Sequence, residues 1–103
     1  MAFLDDGEHL FVIDITYITM LENIDPLLAP HMAFIERGYA SGLFLASGAK
    51  VPRNGGIIIA RGRSVADIEA LITGDPFHMA GVAKYRITEF DPGNVAAALK
   101  QTD

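Results

Sequence analysis

The chain has 103 residues, a length typical of one domain; half of them are apolar and 20% are charged, so we expect a folded core. A net charge of -5 without a basic stripe argues against nucleic acid as a partner. The absence of cysteine excludes disulfides, thiolate metal sites and a cysteine nucleophile. No apolar run approaches the roughly 20 residues that span a bilayer, and residues 1–8 do not resemble a signal peptide. We therefore expect a soluble cytoplasmic protein with no membrane partner.

Strand and helix patterns alternate from the start of the chain. Residues 10–17 are rich in β-branched and aromatic side chains, which predicts a first strand. Apolar residues then recur at helical spacing. This helix begins at Pro26 or at Pro30, because an interior proline is costly, and it ends at Gly38 or Gly42.

Two strands come next, over residues 43–48 and 56–60. The second is continuously apolar, which predicts a central position in the sheet. The turn between them, residues 51–55, contains Asn54-Gly55, a pair that favours the left-handed conformations of a tight hairpin.

A second helix and a last strand complete the pattern. Ser64 precedes apolar residues at helical spacing and is predicted to cap a helix that stops at Gly74. Residues 82–90 predict a fourth strand, and its charged positions favour an edge of the sheet. Asn94 is predicted to cap a short helix that runs to Leu99.

The resulting order is β-α-β-β-α-β, the split βαβ or ferredoxin-like arrangement of an α+β protein. It forms an antiparallel sheet with two helices on one face. Such a sheet leaves its other face bare unless something covers it. A second copy of the chain is the simplest cover, and we therefore expect a homodimer.

Two residues stand out as candidates for acid–base chemistry. Asp75 precedes Pro76, so its carboxylate is free to cap a short turn. His31 lies one turn before Phe34 and Ile35 and shares their inward face. Taken by themselves, these two patterns favour a packed histidine and a simple helix cap.

Three segments, residues 31–35, 42–48 and 74–82, closely resemble the YCII-related (YciI-like) family. The resemblance implies a dimeric α+β barrel, in which two ferredoxin-like sheets close around a cavity, with a His-Asp pair as the active site. On this sequence the pair maps onto His31 and Asp75, and an imidazole oriented by a carboxylate would form a general base suited to neutral pH. One member type of that family is a dehydrochlorinase that acts on a chlorinated hydroxyhydroquinone.

We accordingly treat residues 1–103 as a single YCII-related domain, with a core at about 10–92 and a short helix and tail at 93–103. The leading functional hypothesis is a cofactor-independent lyase- or isomerase-type enzyme. It would transfer a proton on a small organic acid, phenol or lactone, as the dehydrochlorinase resemblance suggests. The alternative is a non-catalytic module for ligand binding, or for dimerisation and assembly. No metal is expected, because the histidines lack ligand spacing.

Four further residues are predicted to contact a substrate. Gly48 at a strand end lets a ligand approach the backbone, and the neighbouring Ser47 offers a hydroxyl. An ordinary strand exit is the competing interpretation. Arg53 is placed to bind an anionic group, although turn arginines are more often solvated. Phe77 is expected in the core or in the cavity wall.

Overall fold

The computed structural model describes residues 3–99, and the predicted tail at 101–103 lies outside this range. The strands are β1 (His9–Tyr17), β2 (Phe44–Ala49), β3 (Gly55–Gly62) and β4 (Ala83–Phe90); the helices are α1 (Leu21–Ile24), α2 (Leu28–Ala40), α3 (Val65–Ile72) and α4 (Pro76–Met79). Two 3₁₀ turns add Asp25–Leu27 and Ala97–Leu99, the latter in place of the predicted last helix. Within residues 3–99, no helix is long and apolar enough to cross a membrane.

The four strands form one antiparallel sheet in the order β2-β3-β1-β4. This is the predicted ferredoxin-like α+β topology, with β3 inside the sheet and β4 at its edge. In each β-α-β half the second strand lies two positions from the first, with one strand of the other half between them. Strands β1 and β3 are therefore neighbours at the centre of the sheet. The predicted fold class is therefore confirmed.

The strand register decides which side chains meet the helices. Ile13 of β1 lies opposite Ile58 of β3 and Ile87 of β4, so these three residues share the helix-covered face. The buried cluster on this face also includes further residues of β1 and β3 together with residues of α2, α3 and β2: Phe11, Ile15, Phe34, Ile35, Phe44, Ala60, Ile68 and Ile72. Apolar burial of this extent is the main stabilising contribution to the domain.

The opposite face of the sheet carries no helix in the described part of the chain. Its central position on β1 is Asp14, with Ile57 opposite it on β3 and Arg86 opposite it on β4. Lys50 Nζ lies 2.6 Å from Asp14 Oδ1 but is not aligned for a hydrogen bond to it, and donates instead to Thr16 Oγ1 at 3.0 Å. The contact with Asp14 is thus an ion pair, and it gives this mid-strand carboxylate a charged partner.

The helix after β1 begins differently from either prediction. The chain first forms α1 and the 3₁₀ turn that contains Pro26, and α2 starts at Leu28. Pro30 is then the third residue of α2, within the first turn, where its missing N–H costs no hydrogen bond. Gly42, with φ +81°, ends this segment as predicted.

The hairpin between β2 and β3 also differs from its prediction. Neither Asn54 nor Gly55 has a positive φ, so the prediction of a left-handed turn at Asn54-Gly55 is wrong. Gly55 is required for another reason. A Cβ there would lie 1.8 Å from the carbonyl oxygen of Ile15 on the neighbouring strand. The glycine therefore permits a close approach of two backbones.

Candidate active site at the His31–Asp75 pair

Asp75 lies between α3 and α4 and caps the short α4, as predicted. Its backbone is extended, and its Oδ1 accepts a hydrogen bond from the N–H of Phe77 at 3.1 Å. Pro76 supplies the first helical residue. The carboxylate is fully buried, with 0% exposure, so it needs further hydrogen-bonding partners to offset the loss of water.

His31 reaches the same carboxylate from α2. Its Nδ1 lies 2.8 Å from Asp75 Oδ1, and its side chain is 12% exposed. A carboxylate can only accept, so Nδ1 carries the proton and the lone pair of a neutral imidazole lies on Nε2. The ring of Phe77 stacks on the imidazole at 4.0 Å between centroids, with 12° between the planes. The histidine is therefore fixed both in tautomer and in ring orientation.

Tyr85 of β4 is a third member of this group, and the sequence analysis missed it. Its hydroxyl donates to Asp75 Oδ2 at 2.6 Å. Burial raises the pKa of Tyr85 well above its ordinary 10.0, and the hydrogen bond and charge of Asp75 raise it further. The signal available in the sequence was the inward alternation of Ala83, Tyr85 and Ile87, which buries a hydroxyl that needs a partner.

A pocket of about 170 Å³ opens beside His31, between α2 and strands β1, β2 and β3. Most of its wall is apolar, contributed by Ile15, Leu28, Met32, Ile35 and Ile58. Since Nδ1 is turned to the buried Asp75, the Nε2 edge of the imidazole is the part left to the pocket. The pocket lies on the helix-covered face, whereas a second sheet would pack on the bare face.

The structure brings three of the four predicted contact residues to this pocket. Ser47, Gly48 and Arg53 all line it. Ser47 Oγ forms a hydrogen bond of 2.7 Å with the Tyr39 hydroxyl. Gly48 has no heavy atom within 4 Å of the position of a Cβ, which leaves the backbone open to a ligand.

Arg53 lies at the pocket with a partner of its own. Its Nη2 donates to Asp25 Oδ1 at 2.7 Å, and this bond raises the pKa of Arg53 above its ordinary value. Phe77, by contrast, does not line the pocket. It is buried behind the imidazole that it stacks on. Phe77 therefore supports the imidazole ring, and the prediction that it contacts a substrate is corrected.

Comparison with solved structures finds a similar fold in the 5-chloro-2-hydroxyhydroquinone dehydrochlorinase of Burkholderia phenoliruptrix, in complex with 2,5-dihydroxybenzoquinone. The TM-score is 0.70 at 20% sequence identity, over 82% of this chain and 95% of that chain. At this identity the likeness establishes a shared fold. A search of curated protein sequences found no significant match. The sequence model of the YCII-related domain matches residues 9–91, and the chain therefore belongs to the YCII-related family.

Proposed function

We propose that this protein is a small-molecule enzyme in which His31 and Asp75 form an acid–base dyad. The observation that carries the proposal is the 2.8 Å bond from His31 Nδ1 to a fully buried carboxylate, with the other edge of the imidazole at a pocket. A histidine buried only for packing needs no charged partner. A general base needs a fixed tautomer and a group that stabilises its protonated form, and Asp75 supplies both.

The chemistry that suits this arrangement is a proton transfer. Nε2 accepts a proton from a carbon or hydroxyl of the substrate, and the resulting imidazolium is stabilised by Asp75. The same proton is then returned to another atom of the substrate, or leaves with a departing group. These two outcomes correspond to isomerase and lyase reactions, and neither requires a cofactor.

The size and wall of the pocket limit the substrate. An engineered apolar cavity of about 150 Å³ binds benzene, so a pocket of about 170 Å³ fits a single six-membered ring. Ser47 offers a hydroxyl and Arg53 a cation, which suits a ring with a phenol, lactone or acid group. The dehydrochlorinase with the same fold holds a ligand of this kind, 2,5-dihydroxybenzoquinone.

We also propose that two copies associate through the bare face of the sheet. The face has apolar residues at its centre, including Ile57 and Ile59 of β3, next to the Asp14–Lys50 ion pair. Apolar surface of this kind is favourably buried against a matching copy. Light scattering at micromolar concentration checks the proposal, and a monomer would contradict it. The dyad does not depend on this association, since all its members come from one chain.

The function is tested by a turnover screen against single-ring phenols, lactones and carboxylic acids, followed by substitution of the histidine. We expect His31→Ala to fold normally and to lose about 10²–10⁴-fold in kcat, the usual contribution of a positioned acid–base group. His9→Ala is the matched control. His9 pairs with Glu89 at 2.7 Å, outside the pocket wall, and its loss should leave turnover unchanged.

Two results would contradict the proposal. Full turnover in His31→Ala would show that the dyad is not the acid–base group. Ligand binding without turnover in the parent protein, weakened in His31→Ala, would indicate the non-catalytic binding module instead.

A further inference from the structure

Tyr85 makes the one contact of the Asp75 carboxylate that neither caps α4 nor orients His31. Within residues 3–99, Asp75 Oδ1 receives two donors, the Phe77 N–H and His31 Nδ1, while Oδ2 receives only the Tyr85 hydroxyl, at 2.6 Å. This is the shortest of the three bonds. If Tyr85 served only to satisfy this buried oxygen, any hydrogen-bond donor at the same position would serve.

We infer that Tyr85 is a positioning residue that sets the proton affinity of His31 through Asp75. This inference rests on the dyad proposed above and adds to it the group that tunes the base. A donor on one oxygen of a carboxylate withdraws negative charge from the other. The bond from Oδ1 to the imidazolium is then weaker than it would be without the tyrosine.

The position of Tyr85 in the fold supports this role. Its ring is held on β4, in register with Ile15 of β1, so the hydroxyl reaches Asp75 from a rigid sheet rather than from a loop. The His78 and Tyr85 rings pack edge to face, with 5.6 Å between their centroids, and this contact limits rotation of the tyrosine ring. The hydroxyl oxygen is therefore held beside Asp75 Oδ2, while its hydrogen stays free to rotate about the C–O bond.

Three other titratable residues lie near this cluster and bear on the titration of His31. Arg53 shares the pocket wall with His31, from the loop before β3. Tyr17 of β1 packs edge-on against Phe77, with 5.6 Å between ring centroids. The His78 ring contacts the Tyr85 ring, with 5.6 Å between centroids. Because Tyr85→Phe removes only the hydroxyl and alters none of these three residues, a change in His31 titration can be assigned to the lost hydroxyl.

The experiment is an NMR titration of the His31 ring in the parent protein and in Tyr85→Phe. Loss of the hydroxyl concentrates charge on Oδ1, so His31 should take up its proton at a higher pH. Coupling between hydrogen bonds changes their strength by about 10–30%, which for a charge-assisted bond corresponds to about 0.1–0.7 of a pH unit. A purely structural role would lower stability and leave this midpoint unchanged.

One further variant and one internal control strengthen the test. Site-specific 3-fluorotyrosine at position 85 keeps the hydroxyl and makes it a stronger donor, so it should move the His31 midpoint to lower pH even where Tyr85→Phe folds poorly. His9 titrates in the same spectra and serves as an internal control that should not move. Opposite shifts in the two Tyr85 variants support the inference, and an unchanged His31 midpoint in both overturns it.

Asp75→Asn separates this inference from the proposed function. Removal of the carboxylate charge should move the His31 midpoint to lower pH, opposite to Tyr85→Phe. If Asp75→Asn has no effect on His31, the dyad itself is refuted. If Asp75→Asn has its effect and neither Tyr85 variant does, only the role of Tyr85 is refuted.

Discussion

The substitution Asp75→Asn distinguishes the charge of the dyad from its geometry. The new amide nitrogen must occupy the place of either Oδ1 or Oδ2. At Oδ1 it would face the backbone N–H of Phe77, a donor that cannot turn away. At Oδ2 it would face the Tyr85 hydroxyl, which can rotate and accept. We therefore expect the amide oxygen to stay at Oδ1, where it keeps accepting from His31 Nδ1.

The size of the effect follows from this placement. The hydrogen bond to His31 survives, but it loses its charge assistance. Bonds to charged groups contribute about 1.5–3 kcal/mol and neutral ones about 0.5–1.5 kcal/mol, so the imidazolium loses about 1 kcal/mol of stabilisation. This corresponds to roughly a fivefold loss in the rate of a step that protonates His31. Where the same substitution reverses the tautomer, as in a serine protease triad, the loss is about 10⁴-fold.

The assay is ¹⁵N NMR of the imidazole, at a pH where the ring is neutral, combined with turnover of a substrate found in the screen. In both the parent and Asp75→Asn, Nδ1 should carry the proton and Nε2 should be bare. Asp75→Ala is the control that removes every acceptor, and it should give a mixture of tautomers. A proton on Nε2 in Asp75→Asn, or a rate loss near 10⁴-fold, would refute the placement argued from Phe77 and Tyr85.

Two further predictions concern stability. Gly38→Ala on α2 would place a Cβ 2.0 Å from the ring of Phe44, and overpacking of about 1–3 kcal/mol should outweigh the gain of about 1 kcal/mol in helix propensity, lowering the melting temperature. Gly48→Ala, which meets open space, should leave it unchanged, and equal melting of both variants would contradict the packing. Glu8→Gln should cost about 1 kcal/mol at pH 7 in denaturant unfolding, because it weakens the bonds to Arg61. Equal stability of Glu8→Gln and the parent at pH 7 would contradict this.

The pH dependence of the Glu8 effect has a defined sign. Burial raises the pKa of Glu8, but the hydrogen bond from Arg61, the bond from the N–H of Asp5 and the charges of Arg61 and Arg63 outweigh it, and the net pKa lies below 4.5. The stabilisation is therefore present above pH 4.5 and is lost as the pH falls through the lower folded value. The difference between parent and Glu8→Gln should shrink in this acid range, and a constant difference would contradict the pairing.

Much of the fold could be predicted from the sequence because its signals are local. The spacing of apolar residues indicated four strands and two main helices, and the caps at Ser64 and Asp75 formed as expected. Each cap depends on atoms only two or three residues apart. The short helix α1 was missed for the same reason, because it has four residues and no side-chain cap hydrogen bond, and so gives no local signal in the sequence.

The candidate site is a different case. His31 and Asp75 lie 44 positions apart, and their pairing was suggested by family resemblance rather than by spacing. Tyr85, which the resemblance did not include, reaches Asp75 only because β4 pairs with β1 in one register. Phe77, expected in the core or in the cavity wall, is buried in the core and supports the imidazole.

What the sequence alone determined is the set of elements and the residue types able to carry acid–base chemistry, because propensity, capping and periodicity act within a few residues. The tertiary structure decided which of those residues meet. It also decided why Gly55 is a glycine, since the nearest atom belongs to Ile15 on another strand. Contacts of this kind depend on strand register and helix packing, in which a shift of one residue exchanges the two faces of the sheet.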